Sequence, residues 1–188
     1  MAIEIWKCGG PLLTLALYRL EGGVLEDVLQ PGLKLVVCGS AAGHRSAHLG
    51  QYYAGRGNKL WATLVTVGLT PRQLSPSEYR LLPSFGIGLT DLVKGQSGSD
   101  AKITFGSEGP EALRAKMLRY QPGVLCFNGK RAAVEYFRVR DVDFGLRSET
   151  IGVTKLFVAP STSGAASGFW DELMWRKLAD LVRVGATV

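Results

Sequence analysis

The residues able to do chemistry gather just after apolar runs, at Cys38-Gly-Ser-Ala-Ala-Gly43, Thr90-Asp91, Asn128-Gly-Lys130 and Pro160-Ser-Thr-Ser-Gly164. A carboxylate such as Asp91, partly desolvated at the end of a buried strand, can orient a water molecule and stabilise a developing positive charge. The competing reading is a helix N-cap, a common task for Asp. Asn128 offers a donor and an acceptor to a planar polar ligand, although Asn-Gly is also an ordinary turn dipeptide. Ser161 and Ser163 supply hydroxyls, and the Gly- and Ser-rich turns supply backbone amides of the kind that grip phosphate oxygens. His44 and His48 can donate to an anion or a polar ring, against the commoner structural use of a lone histidine.

Other chemistries are excluded by spacing. No Gly-Lys-Ser/Thr follows Gly39 to Gly43, so the common nucleotide-phosphate loop is missing. Ser163 is not set in Gly-x-Ser-x-Gly, which argues against a serine hydrolase. Cys8, Cys38 and Cys126 are far apart and odd in number, the pattern of neither a disulfide framework nor a metal site. The formal net charge of +6 favours a polyanionic partner through counterion release and steering.

The elements that must position these residues follow from the same pattern. With 46% hydrophobic and 20% charged residues, the 188-residue chain reads as one folded domain, a core from 24 to 188 behind an N-terminal extension. That extension, residues 1–23, reads as a strand or hairpin laid on the core. No apolar run reaches the roughly 18 to 20 residues of a membrane span, Pro11 to Leu17 being the nearest. Glu4 and Lys7 interrupt any secretory signal, so a cytoplasmic protein is expected.

Leu33 to Cys38, Phe85 to Thr90, Gly123 to Phe127 and Lys155 to Ala159 read as short buried strands. Helices are expected after an N-cap at Asn58 and up to Gly68, from Pro110 to Tyr120, from Lys130, and from Phe169 to Val184, the last with Trp170, Leu173, Met174 and Leu178 on its apolar side. Lys94 to Gly109 reads as an exposed loop. Strands alternating with helices imply an α/β fold, a three-layer αβα sandwich on a mostly parallel four-stranded sheet. In such sheets ligands bind at the carboxyl ends of the strands, where the four polar stretches lie.

Several ordered blocks carry a resemblance. Pro31-Gly-Leu-Lys-Leu-Val-Val-Cys-Gly39, Gly55-Arg-Gly-Asn-Lys-Leu-Trp61, Gly68-Leu-Thr-Pro-Arg72, Gly86-Ile-Gly-Leu-Thr-Asp-Leu-Val93 and Tyr120-Gln-Pro-Gly-Val-Leu-Cys-Phe-Asn-Gly-Lys130 are similar in order and spacing to the mismatch-specific uracil/thymine DNA glycosylases. The resemblance runs from about Val24 to about Val184. It implies the uracil-DNA glycosylase fold, base flipping, DNA containing uracil or another deaminated base as partner, a monomer, and no metal or organic cofactor. Breaking an N-glycosidic bond needs a positioned water and donors for the departing base.

Carried over residue by residue, the resemblance has departures. The first loop of that branch reads Gly-Ile-Asn-Pro-Gly, its Asn holding the attacking water; here it reads Gly39-Ser40-Ala41-Ala42-Gly43, and Ala41 has no polar group. Asp91 is the first candidate to replace it, with His48 in reserve. Ser40, Ala41, Tyr53 and Asn128 fall where the base is bound, Tyr53 on the aromatic that stacks against it. Gly43, His44, Arg45, Ser46, Lys59 and Lys130 are expected to contact DNA, with Arg56 a further phosphate contact. Ser161, Ser163, Gly164 and Ala165 belong to the second loop, where Ser161 stands in place of Asn or His, closer to hypoxanthine-type members. The wedge positions, Ala165 and Ala166, are small. Two alternatives stay open: a lesion-binding protein without catalysis, and, less favoured, an enzyme acting on free nucleotides.

Overall fold

The computed structural model describes residues 23–185; the expected N-terminal strand or hairpin lies outside them. Five strands, β1 (Leu35–Ala42), β2 (Ile87–Ser97), β3 (Val124–Asn128), β4 (Gly145–Ile151) and β5 (Thr154–Ala159), form one sheet in the order β2-β1-β3-β5-β4. The first three and β5 are parallel, and β4 runs antiparallel to β5 at the edge. The expected four strands are all present. The fifth, Gly-Leu-Arg-Ser-Glu-Thr-Ile, escapes a search for buried runs because only Ile151 is fully buried, Leu146 being exposed and Arg147 lying over the Phe137 ring.

The apolar runs form a sandwich because alternate residues point to opposite faces. Leu35, Val37, Cys126 and Phe157 join one core; Val36, Cys38, Leu125, Phe127 and Val158 join the other. Helices α2 (Leu60–Thr66) and α5 (Glu172–Val184) cover the first, while α3 (Glu108–Tyr120) and α4 (Lys130–Phe137) cover the second. A short α1 (His44–Leu49) follows β1 directly. Cys38 and Cys126 are fully buried free thiols that fill core space.

Local chemistry sets the helix ends. The Asn58 side-chain oxygen accepts from the Leu60 N–H at 3.0 Å, and Gly68, with φ of 70°, closes the turn after α2. Asp171 caps α5 by accepting from Leu173 N–H at 2.8 Å, so the helix begins after Trp170. Its buried stripe is Trp175, Leu178, Ala179 and Val182; Leu173, expected on that stripe, is 56% exposed. Leu178 and Trp170, also expected on that side, do pack on the core. Trp175 also ties the helix to the sheet, its Nε1 donating to Pro160 O at 3.0 Å.

Two further departures shape the site. Strand β1 continues through Gly39-Ser-Ala-Ala42, expected as a turn, and pairs with β2 across a register shift between Ala41 and Ala42. The stretch from Lys94, expected as an exposed loop, continues β2 to Ser97 and adds a 3₁₀ turn at Asp100–Lys102. Upstream, Val24 N–H donates to Lys94 O at 2.7 Å, and Val28 exchanges backbone bonds with Leu89, so residues 24–28 cover the free edge of β2.

Candidate active site at the carboxyl end of the sheet

A cleft of about 540 Å³ opens where β1, β2, β3 and β5 end. Ser40, Ala41, Gly43, Ser46, Tyr53, Asp91, Asn128, Lys130, Ser161, Ser163 and Ala165 line it, so most of the residues singled out from sequence converge there. The parallel register explains the meeting. Gly39 pairs with Asp91 across β1 and β2, and Asn128 pairs with Ala159 across β3 and β5, which sets the four polar stretches side by side.

Asp91 is 5% exposed, and no donor among the described residues reaches its carboxylate within hydrogen-bond distance. Burial pushes its pKa up to about 6; Asp27 adds to the rise, while Lys94 and Lys116 oppose it. A buried carboxyl that titrates near neutrality and faces a cleft is suited to accepting a proton from water. The helix N-cap reading does not apply, because Asp91 lies within β2. Gly39 makes room for it: a Cβ there would sit 2.5 Å from Asp91 Oδ1.

Behind Asp91 lies an ion cluster. Asp27 receives Lys94 Nζ at 2.8 Å, Lys116 Nζ at 2.6 Å and the Thr90 hydroxyl at 2.7 Å. Burial raises the Asp27 carboxyl, and the two lysines more than offset that, leaving it below its ordinary value. Lys94 also donates to the Tyr52 hydroxyl at 3.0 Å. The cluster therefore joins the covering segment, β2, α3 and the aromatic turn after α1.

The second loop is held by Asn128. Its Nδ2 donates to Thr162 Oγ1 at 2.8 Å and its Oδ1 accepts from Thr162 N–H at 2.9 Å. The amide expected to read a base edge is thus engaged in setting the loop, with one N–H left over. Asn128→Ala should leave the buried Thr162 amide without an acceptor and cost about 1–3 kcal/mol, a fall in Tm of roughly 3–10 °C for a chain this size. Thermal unfolding by circular dichroism checks it. An unchanged Tm would show that the pair does not hold the loop.

Other expected contacts are placed differently. His48 and Arg45 are exposed on α1 outside the cleft, so His48 is not positioned to act on a group bound there. His44 is likewise outside the lining and stands beside Gly98. Ser46 lines the cleft, but its Oγ accepts from Ala54 N–H at 3.0 Å and ties α1 to the aromatic turn. Lys59 Nζ donates to Ser167 Oγ at 2.7 Å and lies over the Trp170 ring, bracing the second loop rather than reaching outward. Gly164 packs against the Arg56 and Gly57 carbonyls, a contact a larger residue would crowd. Lys130 lines the cleft while paired to Asp141 at 2.9 Å. Ser161 and Ser163 form consecutive turns, accepting from Ser163 N–H at 3.2 Å and Ala165 N–H at 3.4 Å.

Sequence reading missed Asp100, Thr162, Tyr52 and Arg131, which also line the cleft. Asp100 accepts a hydrogen bond from Ser40, which brings the 98–100 turn onto the cleft wall. Nothing in the polar Gly-Ser-Asp composition separates that turn from an ordinary surface loop. Thr162 could be suspected from its place between two candidate serines.

Comparisons with known proteins agree with this geometry. A solved structure similar to this chain is a solution NMR structure of a candidate uracil DNA glycosylase from Methanosarcina acetivorans, with a TM-score of 0.59 at 20% identity, covering 85% of this chain and 96% of that one. At that identity the likeness shows the fold. The model of the uracil DNA glycosylase superfamily matches residues 26–179, most of the described chain and every strand of the cleft. The chain belongs to the uracil DNA glycosylase superfamily.

Proposed function

We propose that this protein is a monomeric DNA glycosylase of the mismatch-specific branch, which flips uracil, or another deaminated base such as hypoxanthine, out of DNA and hydrolyses its N-glycosidic bond to leave an abasic site. One observation carries the reading. Where the branch's water-holding side chain is replaced by Ala41, a buried carboxylate from the adjoining strand, Asp91, faces the same cleft.

Excision follows from that arrangement. The extruded base enters the cleft, and the amides and hydroxyls of the two loops hold the flanking phosphates. Ionised Asp91 accepts a hydrogen bond from a water lying against the sugar. As the C1′–N bond breaks, its electron pair leaves with the base, the water oxygen bonds to C1′, and the water's proton passes to Asp91. Donors on the cleft wall stabilise the departing base anion. The chemistry calls for no metal or organic cofactor, and the +6 charge favours association with DNA.

An end-labelled oligonucleotide with one uracil, incubated with the protein and then treated with hot alkali, tests the reading. Strand cleavage at the uracil is expected. Parallel substrates with hypoxanthine, in single and double strands, define the range. Tight binding with no cleavage of any of them would identify a lesion binder and overturn the enzymatic reading.

A further inference from the structure

Tyr53 has two features that stacking on a base does not require. Its backbone is left-handed, with φ of 52°, a conformation bulky L-residues rarely adopt and which the surroundings must impose. The imposition is visible. Tyr52 before it is buried and held by Lys94, Ala54 after it donates to Ser46, and Trp61 Nε1 donates to the Tyr53 carbonyl at 3.3 Å. The second feature is the hydroxyl, which is buried and makes no hydrogen bond among the described residues, although the Asn128 side chain lies near enough to favour its ionised form. Buried hydroxyls are nearly always paired, and an exception in a cleft calls for a functional account.

The hydroxyl's neighbours supply one. A Cβ built on Gly39 would lie 3.4 Å from Tyr53 Oη and 2.5 Å from Asp91 Oδ1, so both oxygens converge on the same patch above that glycine. They are no more than about 6 Å apart and make no direct bond, a span that one water bridges with a hydrogen bond of roughly 2.8 Å to each. Burial, and then the neighbouring Asp91, push the Tyr53 pKa well above its ordinary value against the opposing Asn128 amide, so the phenol keeps its proton.

We propose that the Tyr53 hydroxyl and the Asp91 carboxylate together hold the attacking water above Gly39, the role of the missing side chain at position 41 being divided between them. The inference rests on the glycosylase reading above. In the step itself the water oxygen bonds to C1′, the C1′–N electron pair leaves with the base, and the water's proton passes to Asp91. Tyr53 gives up no proton and fixes the direction of attack.

Tyr53→Phe tests this, because it keeps the ring and removes only the hydroxyl. Single-turnover release of uracil from a duplex should slow by about 10- to 100-fold, while the Kd for the same duplex stays within about twofold and Tm does not fall. Because both groups hold one water, Asp91→Asn/Tyr53→Phe should be no slower than Asp91→Asn alone. A Tyr53→Phe rate equal to the wild type, a loss confined to binding, or effects that multiply in the double variant would overturn the shared-water inference and leave glycosylase activity standing. A wild-type protein that releases no base would overturn both.

Discussion

Replacing Asp91 by Asn should slow uracil release by about 10²- to 10⁴-fold, the range for loss of a group that positions and activates a nucleophile. The variant should also lose the acid limb of the pH profile. The active form is the ionised carboxylate, so with a pKa raised to about 6 the wild-type rate climbs as pH rises towards that value and levels above it. A companion effect has the opposite sign. The folded value lies above the ordinary 3.8, so folding favours the protonated form. The resulting destabilisation is absent below about pH 3.8 and complete above about pH 6. A rise of this size corresponds to on the order of 2–3 kcal/mol. Asp91→Asn should therefore raise Tm at pH 7.5 and change it little near pH 4, giving a slower but more stable protein, as expected where a site sacrifices stability for function. Undiminished excision would remove Asp91 from the chemistry, and a lower Tm at neutral pH would make it structural.

Asp27→Ala should have the largest effect on stability. The two lysines and the Thr90 hydroxyl that converge on Asp27 would lose their common acceptor. The expected loss is about 2–3 kcal/mol, below the roughly 3–5 kcal/mol of a fully buried pair because the Asp27 side chain keeps 20% of its exposure. The pH dependence follows from the direction of the shift. A carboxyl held below 3.8 contributes stability that is present above that pH and lost as pH falls through the lowered folded value. The gap between wild type and variant in urea unfolding should accordingly close in strong acid. Removing Asp27 also removes a negative neighbour of Asp91 while its positive ones remain, so the acid limb of excision should move below pH 6. Equal stability of the two proteins at pH 7 would show that the cluster does not fasten residues 24–28 to the sheet.

What was legible in the sequence is what periodicity and local chemistry encode. The runs around Val36, Leu89, Leu125 and Val158 are buried on both faces and were readable as parallel strands, and the polar residues after them had to share one end of the sheet. Asp91 stood out for that reason. Strand β4 was not legible, because an edge strand with Ile151 as its one fully buried residue has no buried run. The pairing of Gly39 to Ala42 with β2 was hidden by glycine and small residues that read as a turn. The roles of Asn128, Ser46 and Lys59 depend on partners up to 108 residues away in the chain, Lys59 and Ser167 being the farthest apart. Residue type told that these side chains were able to bind something. Only the fold told that Thr162, Ala54 and Ser167 were what they bind.

We propose that the buried Asp91, in place of a side chain at position 41, drives base excision. It is tested most directly by the pH dependence of single-turnover uracil release by the wild-type protein and by Asp91→Asn. The wild-type rate should rise with pH to a plateau above about 6, and the variant should be slow and lack that rise. A wild-type rate independent of pH between 4 and 8, or a variant that keeps both the rate and the rise, would contradict it.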